Sequence, residues 1–203
     1  MTAPGRYIAF EGAEGCGKST IAHLLAQELG AVLTREHGGT RIGKQVRAIV
    51  ANPDHLELDD RAEALLIAGD RAQHLAEIVV PALAAGRHVV SDRSVYSTLA
   101  YQGYGRGLPL GDVRRINDWA IRGRWPDLVI FLDVSPAVQA QRLALRTLDR
   151  FEQAAADFHE RVVVGFREMA AADPERWVTV SSDPAVAEVH AAVAEAVFQR
   201  LHL

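Results

Sequence analysis

The sequence predicts an α/β fold, a five-stranded parallel sheet with helices on both faces. Three observations lead there. Five short apolar runs recur along the 203 residues, and helix-patterned sequence separates each from the next. The runs are apolar without strict alternation, as strands buried on both faces of a parallel sheet are. The first run opens directly into a glycine-rich loop, and apolar residues at helical spacing follow that loop.

Composition fits one domain spanning residues 1–203. With 49% hydrophobic and 24% charged residues, the chain has enough apolar content for a full core. A formal net charge of -4 and a pI near 6.1 argue against nucleic acid or an anionic membrane as the main partner. Cys16 is the only cysteine, so no internal disulfide forms. There is neither a basic-then-apolar leader nor an apolar run of roughly 18 residues, and the expected location is cytoplasmic.

The first strand is expected at residues 7–11. The loop after it reads Gly12-Ala13-Glu14-Gly15-Cys16-Gly17-Lys18-Ser19-Thr20, a G-x-x-x-x-G-K-[ST] or Walker A pattern. Chance would produce its fixed positions with a probability on the order of 0.001, and an ordinary glycine turn has no use for the lysine. The glycines let the backbone close around phosphates, with loop amides and the helix N-terminus facing the negative charge. Lys18 is expected on the β/γ-phosphates and the Ser19 hydroxyl on Mg2+. Among 22 basic residues only Lys18 and Lys44 are lysines, and one of them stands where a compact, mobile ammonium is needed. Ile21, Leu24, Leu25 and Leu29 then mark the apolar face of a helix.

A second strand at residues 31–34 ends in Thr34-Arg35-Glu36-His37-Gly38-Gly39-Thr40, followed by a helix bearing Arg41 and Arg47. A third at 88–92 ends in Asp92-Arg93, and the glycine-rich stretch 103–111 is expected to be a loop between helices. The fourth and fifth strands, 128–134 and 177–180, lead to Ser135-Pro136 and Asp183-Pro184. Each pair reads as a capping side chain before a proline at the first helical position. Val186, Val189, Val193, Val197 and Leu201 mark the buried face of the last helix. Arg142, Arg146 and Arg150 are spaced by four and would share one helical face, where they repel unless an anion arrives. A solvated surface is the plain alternative for these arginines, as a structural ion pair is for Asp92-Arg93. In open parallel sheets, ligands sit at the carboxyl ends of strands, where most of these polar stretches fall.

In order and spacing, Phe10 to Thr20, Thr34 to Thr40, Asp70-Arg71, Asp92-Arg93 with Ser97 to Gly107, and Arg146 to Glu152 resemble the thymidylate kinase family in its bacterial form. The likeness runs over nearly the whole chain. It implies a P-loop NTPase fold, transfer of the γ-phosphoryl group of ATP to dTMP with Mg2+, and a homodimer. It also implies that Glu14 faces the acceptor sugar and the metal region, that Arg93 holds the acceptor phosphate, and that Asp92 lies near Mg2+. Arg71 is implied at the thymine ring, Thr98 and Gln102 at base-reading positions, and Tyr101 where it crowds out a ribose 2'-hydroxyl. Glu36 and Arg47 are counted with the acceptor site. The phosphate loop offers Cys16 and no arginine, so the chain resembles the type with catalytic arginines in a lid. That lid is expected at residues 142–152, with Arg142 on the nucleotide and Arg146 and Arg150 as catalytic candidates.

Three positions depart from the family pattern. His37 stands where proline is common, Ser94 where an aromatic or imidazole is common, and Ile67 where a phenylalanine stacks on thymine. An aliphatic face packs on a base but lacks the aromatic quadrupole. Ile67 and Ser94 thus favour, as the alternative, a kinase for another (deoxy)nucleoside monophosphate or a deoxynucleoside. A GTP-binding switch is disfavoured, because no N-K-x-D motif occurs.

Overall fold

Five parallel strands, β1 (Tyr7–Glu11), β2 (Val32–Arg35), β3 (Val89–Asp92), β4 (Leu128–Asp133) and β5 (Trp177–Ser181), form one sheet in the order β2-β3-β1-β4-β5. This is seen in a computed structural model that describes residues 4–144 and 149–203. The helices among those residues are α1 (Lys18–Leu29), α2 (Arg41–Val50), α3 (Asp60–His74), α4 (Val80–Ala84), α5 (Val95–Thr98), α6 (Leu110–Ile121), α7 (Pro136–Leu143), α8 (Ala156–Ala172) and α9 (Val186–Leu201). None is long and apolar enough to cross a membrane.

Successive strand side chains point to opposite faces, so an apolar run needs two cores. On one face Ile8, Phe10, Ile130 and Leu132 pack with Ile21 and Leu25 of α1 and Val193 and Val197 of α9. On the other, Tyr7, Val89, Val129 and Phe131 pack with residues of α3, α6 and α8, including Ile67, Val113 and Phe166. In the register, Phe10 of β1 lies beside both Asp92 of β3 and Ile130 of β4. Because the connection after β1 runs to β2 on one side of the sheet and the connection after β3 runs to β4 on the other, a crevice opens beyond the carboxyl ends of β1 and β3.

Local signals are met unevenly. Ser135 caps α7 by accepting from Val138 N at 3.5 Å, with Pro136 in the first turn, as its spacing predicts. Asp183 does not cap a helix. α9 begins behind Ala185, and the Asp183 carboxylate accepts from Ser135 N at 2.8 Å, tying the ends of β4 and β5 together. Val186 consequently stays half exposed, and the buried face runs from Val189 to Leu201. The expected 103–111 loop is shorter than its glycines suggest, because α5 runs on as a π-helical stretch, Leu99–Gly105. Gly105 is there for packing: a Cβ would stand 2.6 Å from Phe158 Cε2.

The stack of Arg142, Arg146 and Arg150 on one helical face does not hold. α7 ends at Leu143, Arg150 lies in a turn, and Arg146 falls outside the described residues.

Candidate active site

The loop between β1 and α1 stands at the mouth of the crevice. At Gly12 (φ 146°) a side chain has no room, since a Cβ would meet Leu132 O at 2.6 Å. Three consecutive loop carbonyls are held from outside. Glu14 O accepts from Gln139 Nε2 (2.9 Å), Gly15 O from Arg142 Nη1 (3.3 Å) and Cys16 O from Ser182 Oγ (2.6 Å). With its carbonyls so engaged, the loop keeps its amides for an anion. Lys18 is buried and folded back, Nζ donating to Gly12 O (3.0 Å) and Ala13 O (2.8 Å). Gly12, Ala13 and Cys16 form the back of the loop and do not line the cleft; Cys16 is buried, its Sγ 3.5 Å from Lys18 Nζ.

Ser19 Oγ donates to Asp92 Oδ2 at 2.5 Å, while Asp92 Oδ1 is buried with no partner. A hydroxyl beside a carboxylate with one orphaned oxygen suits a hard divalent ion. Mg2+ takes one or two protein carboxylates and fills its other positions with substrate oxygens and water. No cluster of three or more His, Cys, Asp or Glu suited to a metal occurs among the described residues.

Facing the loop is Arg93, whose φ of 75° is unusual for a residue with a side chain. Ser91 Oγ donates to Arg93 O at 2.8 Å, and Arg93 N donates to Phe10 O at 2.9 Å. The guanidinium pairs with Glu14 and donates to Ser97 Oγ and Tyr101 Oη, each at 3.1 Å. Burial works against its charge, but the Glu14 carboxylate, then Tyr101 and Asp92, outweigh that, so its pKa is raised. The Tyr101 ring lies 4.8 Å from the guanidinium carbon, in cation–π range. Ser97 is in turn aimed by Glu11, whose Oε2 accepts from its hydroxyl at 2.5 Å. Burial pushes the Glu11 carboxyl up, against the pull of the Ser97 and Ser94 hydroxyls.

Arg35 and Arg47 add positive charge at this end of a cleft of about 400 Å³. Arg47 lies 3.8 Å from Asp149, and burial lowers its pKa. Among these arginines sits His37, following a cis Glu36–His37 peptide bond. Burial first, then the charges of Arg47, Arg93, Arg71 and Arg35, hold its pKa down to about 3, so the imidazole is neutral. Its Nε2 is buried without a partner.

Further in, Arg71 is almost fully enclosed and nearly all its donors are committed. Nε pairs with Glu36 Oε2 (2.6 Å), Nη1 donates to Thr98 Oγ1 (2.8 Å) and to Asn117 Oδ1, and Nη2 donates to Ser94 O (3.0 Å). Glu36 also holds His74 Nδ1 at 2.9 Å. Burial alone would raise the Glu36 pKa, but the Arg71 charge and His74 carry it below its ordinary value. Glu36, Arg47, Ile67 and Arg71 line the cleft with Thr98, Tyr101 and Gln102. Glu14, Lys18, Ser19, Asp92 and Arg93 border the same space, with Gly15, Gly17, Thr20 and Arg142.

Arg150, expected as a catalytic candidate, does not line the cleft either. Its guanidinium turns into the interior, pairing with Glu63 and donating to Val50 O (3.4 Å) and Leu58 O (3.3 Å). The cause is electrostatic: Glu63 is fully enclosed, and a buried carboxylate needs compensating charge. Glu63 and Asn117 escape the sequence reading, whereas Glu11, Ser182 and Phe151 fall within stretches it marks without being given a role. Each acts on residues far along the chain, as when Phe151 sets its ring edge-on to Tyr101 at 6.1 Å. Ser97 had a signal, standing in the stretch after Asp92-Arg93.

Comparison with known proteins agrees with this arrangement. The family profile described as thymidylate kinase matches residues 10–193. A thymidylate kinase of a Synechococcus strain is 45% identical over 202 residues, covering 97% of this chain and 96% of the relative. That of Oceanobacillus iheyensis is 42% identical over 193 residues, covering 91% and 86%. The crystal structure of thymidylate kinase from Ehrlichia chaffeensis superposes with a TM-score of 0.80 at 30% identity, over 96% of this chain and 100% of that one. A phosphate loop facing a partly buried arginine across a switch-point cleft, together with matches over nearly the full length, makes the chain a member of the thymidylate kinase family.

Proposed function

We propose that this cleft transfers the γ-phosphoryl group of ATP to dTMP, giving dTDP on the way to dTTP. The observation that supports the reading best is the opposition of two anion sites: Arg93 at the end of β3 meets Glu14 of the phosphate loop in one cleft. A hydrolase needs one such site, and a kinase acting on a phosphate monoester needs two.

The acceptor phosphate is largely dianionic at neutral pH, its second pKa being about 6. No general base is required. The obstacle is bringing two anions into line, and the residues act by positioning and charge. Lys18 exchanges its loop carbonyls for the β/γ-oxygens. Arg93, held in place by Ser97 and Tyr101, exchanges Glu14 for the acceptor phosphate, and Arg47 adds positive charge in the same cleft. Thr98, Gln102, Ile67 and Arg71 receive the base, and Tyr101 stands against a 2'-hydroxyl. Glu36 acts through Arg71, holding its guanidinium in place. Ser19 and Asp92 hold Mg2+, which when bound neutralises charge on the phosphates. Of the lid arginines, Arg142 clasps the loop and Arg146 reaches the transferring group, whereas Arg150 anchors its segment to Glu63. An arginine that stabilises the transferring group contributes roughly 10^3 to 10^5 in rate in related phosphoryl transfers.

The enzyme acts as a single-domain chain in the cytoplasm, and as a homodimer. Exposed Leu65 and Trp119, on the adjoining helices α3 and α6, offer apolar area for a second copy. The reading is tested by ADP release from ATP with and without dTMP, then with dUMP, dCMP, dGMP and AMP as acceptors. Strong stimulation by dTMP is expected; equal rates with every acceptor, or with none, would overturn it.

A further inference from the structure

Gln102 faces the cleft with an amide, a group that presents either a donor or an acceptor depending on how it is turned. Its orientation here is fixed chemically. Nε2 lies 2.7 Å from Glu63 Oε1, and a carboxylate only accepts, so the NH2 end must point to Glu63. That leaves Oε1 as the end of the amide not engaged by Glu63.

Glu63 is well suited to hold this setting. It is fully enclosed, and its acceptor capacity is filled. Oε1 takes Gln102 and Arg106 Nε (3.3 Å), while Oε2 takes Arg106 Nη2 (3.1 Å) and Arg150. Two guanidinium groups on one buried carboxylate keep it an acceptor. The neighbouring Thr98 is set in the opposite sense: its oxygen accepts from Arg71 Nη1, so its own O–H remains to be donated. The base end of the cleft therefore combines an acceptor from Gln102 with a donor from Thr98.

We infer that Glu63 is a specificity-determining positioning residue: by holding the NH2 end of Gln102, it makes position 102 an obligatory acceptor, which takes a ring N–H and rejects a ring nitrogen lone pair. This rests on the proposed nucleotide reading of the cleft, with Gln102 against the base. An imide ring, as in thymine or uracil, carries an N3–H that such an acceptor takes. Cytosine presents an unprotonated N3, which sets lone pair against lone pair. Freed from Glu63, the amide turns over and accommodates both.

The test compares kcat/KM for dTMP and dCMP in three variants of the full-length enzyme, with far-UV circular dichroism as a check of folding. In Glu63→Gln, residue 63 can donate as well as accept, and the dTMP/dCMP preference is expected to fall about 10- to 100-fold, the range set by one mispaired buried hydrogen bond. Gln102→Met removes the acceptor and is expected to lower the preference equally. The exchange Glu63→Gln with Gln102→Glu keeps one carboxylate beside the arginines and an obligatory acceptor at 102. It is expected to restore the preference to within threefold of wild type. A preference unchanged in either folded single variant overturns the inference, because a merely structural Glu63 would slow both substrates alike. If Glu63→Gln does not fold, the other two decide: an unchanged preference in Gln102→Met, or one lost in the exchange, overturns it. Wild-type enzyme inactive on dTMP would instead strike at the nucleotide reading itself.

Discussion

Glu14 and Arg93 are joined by an ion pair across the cleft, 79 residues apart in sequence. Arg93 cannot swing away freely, because its backbone at φ 75° is pinned by Ser91 and Phe10 and its guanidinium by Ser97 and Tyr101. It is thus set in place before an acceptor arrives. Arg93→Ala is expected to lower kcat/KM for dTMP by about 10^2 to 10^3, the loss of two charge-assisted hydrogen bonds. ATP affinity should stay within about threefold. Steady-state kinetics with each substrate varied in turn separates these, and a variant that loses ATP affinity while keeping its dTMP dependence would place Arg93 on the donor side.

Lys18 donates to Gly12 O and Ala13 O at the back of the loop. Lys18→Ala leaves the fold of the loop to its glycines but removes the mobile charge. Turnover is expected to fall on the order of 10^3-fold, comparable to losing one preorganised charge at a transition state. Lys18→Arg should not rescue it, since the guanidinium is larger and does not fit the lysine's enclosed berth. Wild-type rates of ADP release in Lys18→Ala would sink the phosphate-loop assignment.

The contrast between what was legible in sequence and what was not has a physical basis. The phosphate loop is local: its glycines, lysine and serine lie within a few residues, so spacing alone identifies them. The strands were legible because two-sided burial demands apolar runs such as Val129 to Leu132. Asp183 misled because proline after a polar residue suits a helix start and a turn equally well, and only the approach of Ser135 N decides between them. Gly103 and Gly105 read as loop residues, whereas their missing side chains make room for Leu110 and Phe158. Glu63 carried no signal at all, and Glu11 stood in the loop stretch without a role of its own. Their roles depend on partners brought in from other elements: Gln102, Arg106 and Arg150 for one, Ser94 and Ser97 for the other. Arg150 shows the same limit from the other side, since its spacing suggested an anion site and a buried carboxylate claimed it.

His37 supplies a pH prediction. Its pKa in the fold is about 3, against an ordinary value of 6.5. Between those values the unfolded chain binds a proton that the folded chain does not, so stability falls as pH drops through this window and is complete above it. The ceiling is about 1.4 kcal/mol per pH unit. His37→Asn removes this contribution. Urea midpoints at pH 7 and pH 5 should therefore fall less in the variant than in the wild type. Equal losses in both would mean that the imidazole is not held neutral by its burial and the surrounding arginines.

Trp119 is 84% exposed on α6, which is unusual for the largest apolar side chain on a lone surface. A second copy of the chain would cover it. Trp119→Glu is expected to shift the enzyme from dimer to monomer in sedimentation, with the far-UV spectrum unchanged. A wild-type monomer would overturn the homodimer, and a dimer that the charge leaves intact would move the contact elsewhere.

Arg146 and Arg150 are expected to separate in kind. Arg150 joins Glu63, Val50 O and Leu58 O, so its role lies in holding the segment after α7 to the body of the protein. Arg150→Ala removes one of the two guanidinium partners of buried Glu63, leaving Arg106, and should lower stability by about 1.5 to 3 kcal/mol. Arg146→Ala should leave the melting temperature within about 2 °C, as expected of a residue whose role lies in the reaction and not in the fold. Its effect falls on kcat, by about 10^3-fold at saturating ATP, with ATP affinity changed little. Melting curves and single-turnover rates on the two variants distinguish the roles. If Arg150→Ala loses turnover without losing stability, Arg150 leaves Glu63 during the reaction and joins the phosphates. If Arg146→Ala keeps wild-type turnover, the transferring group is neutralised without it.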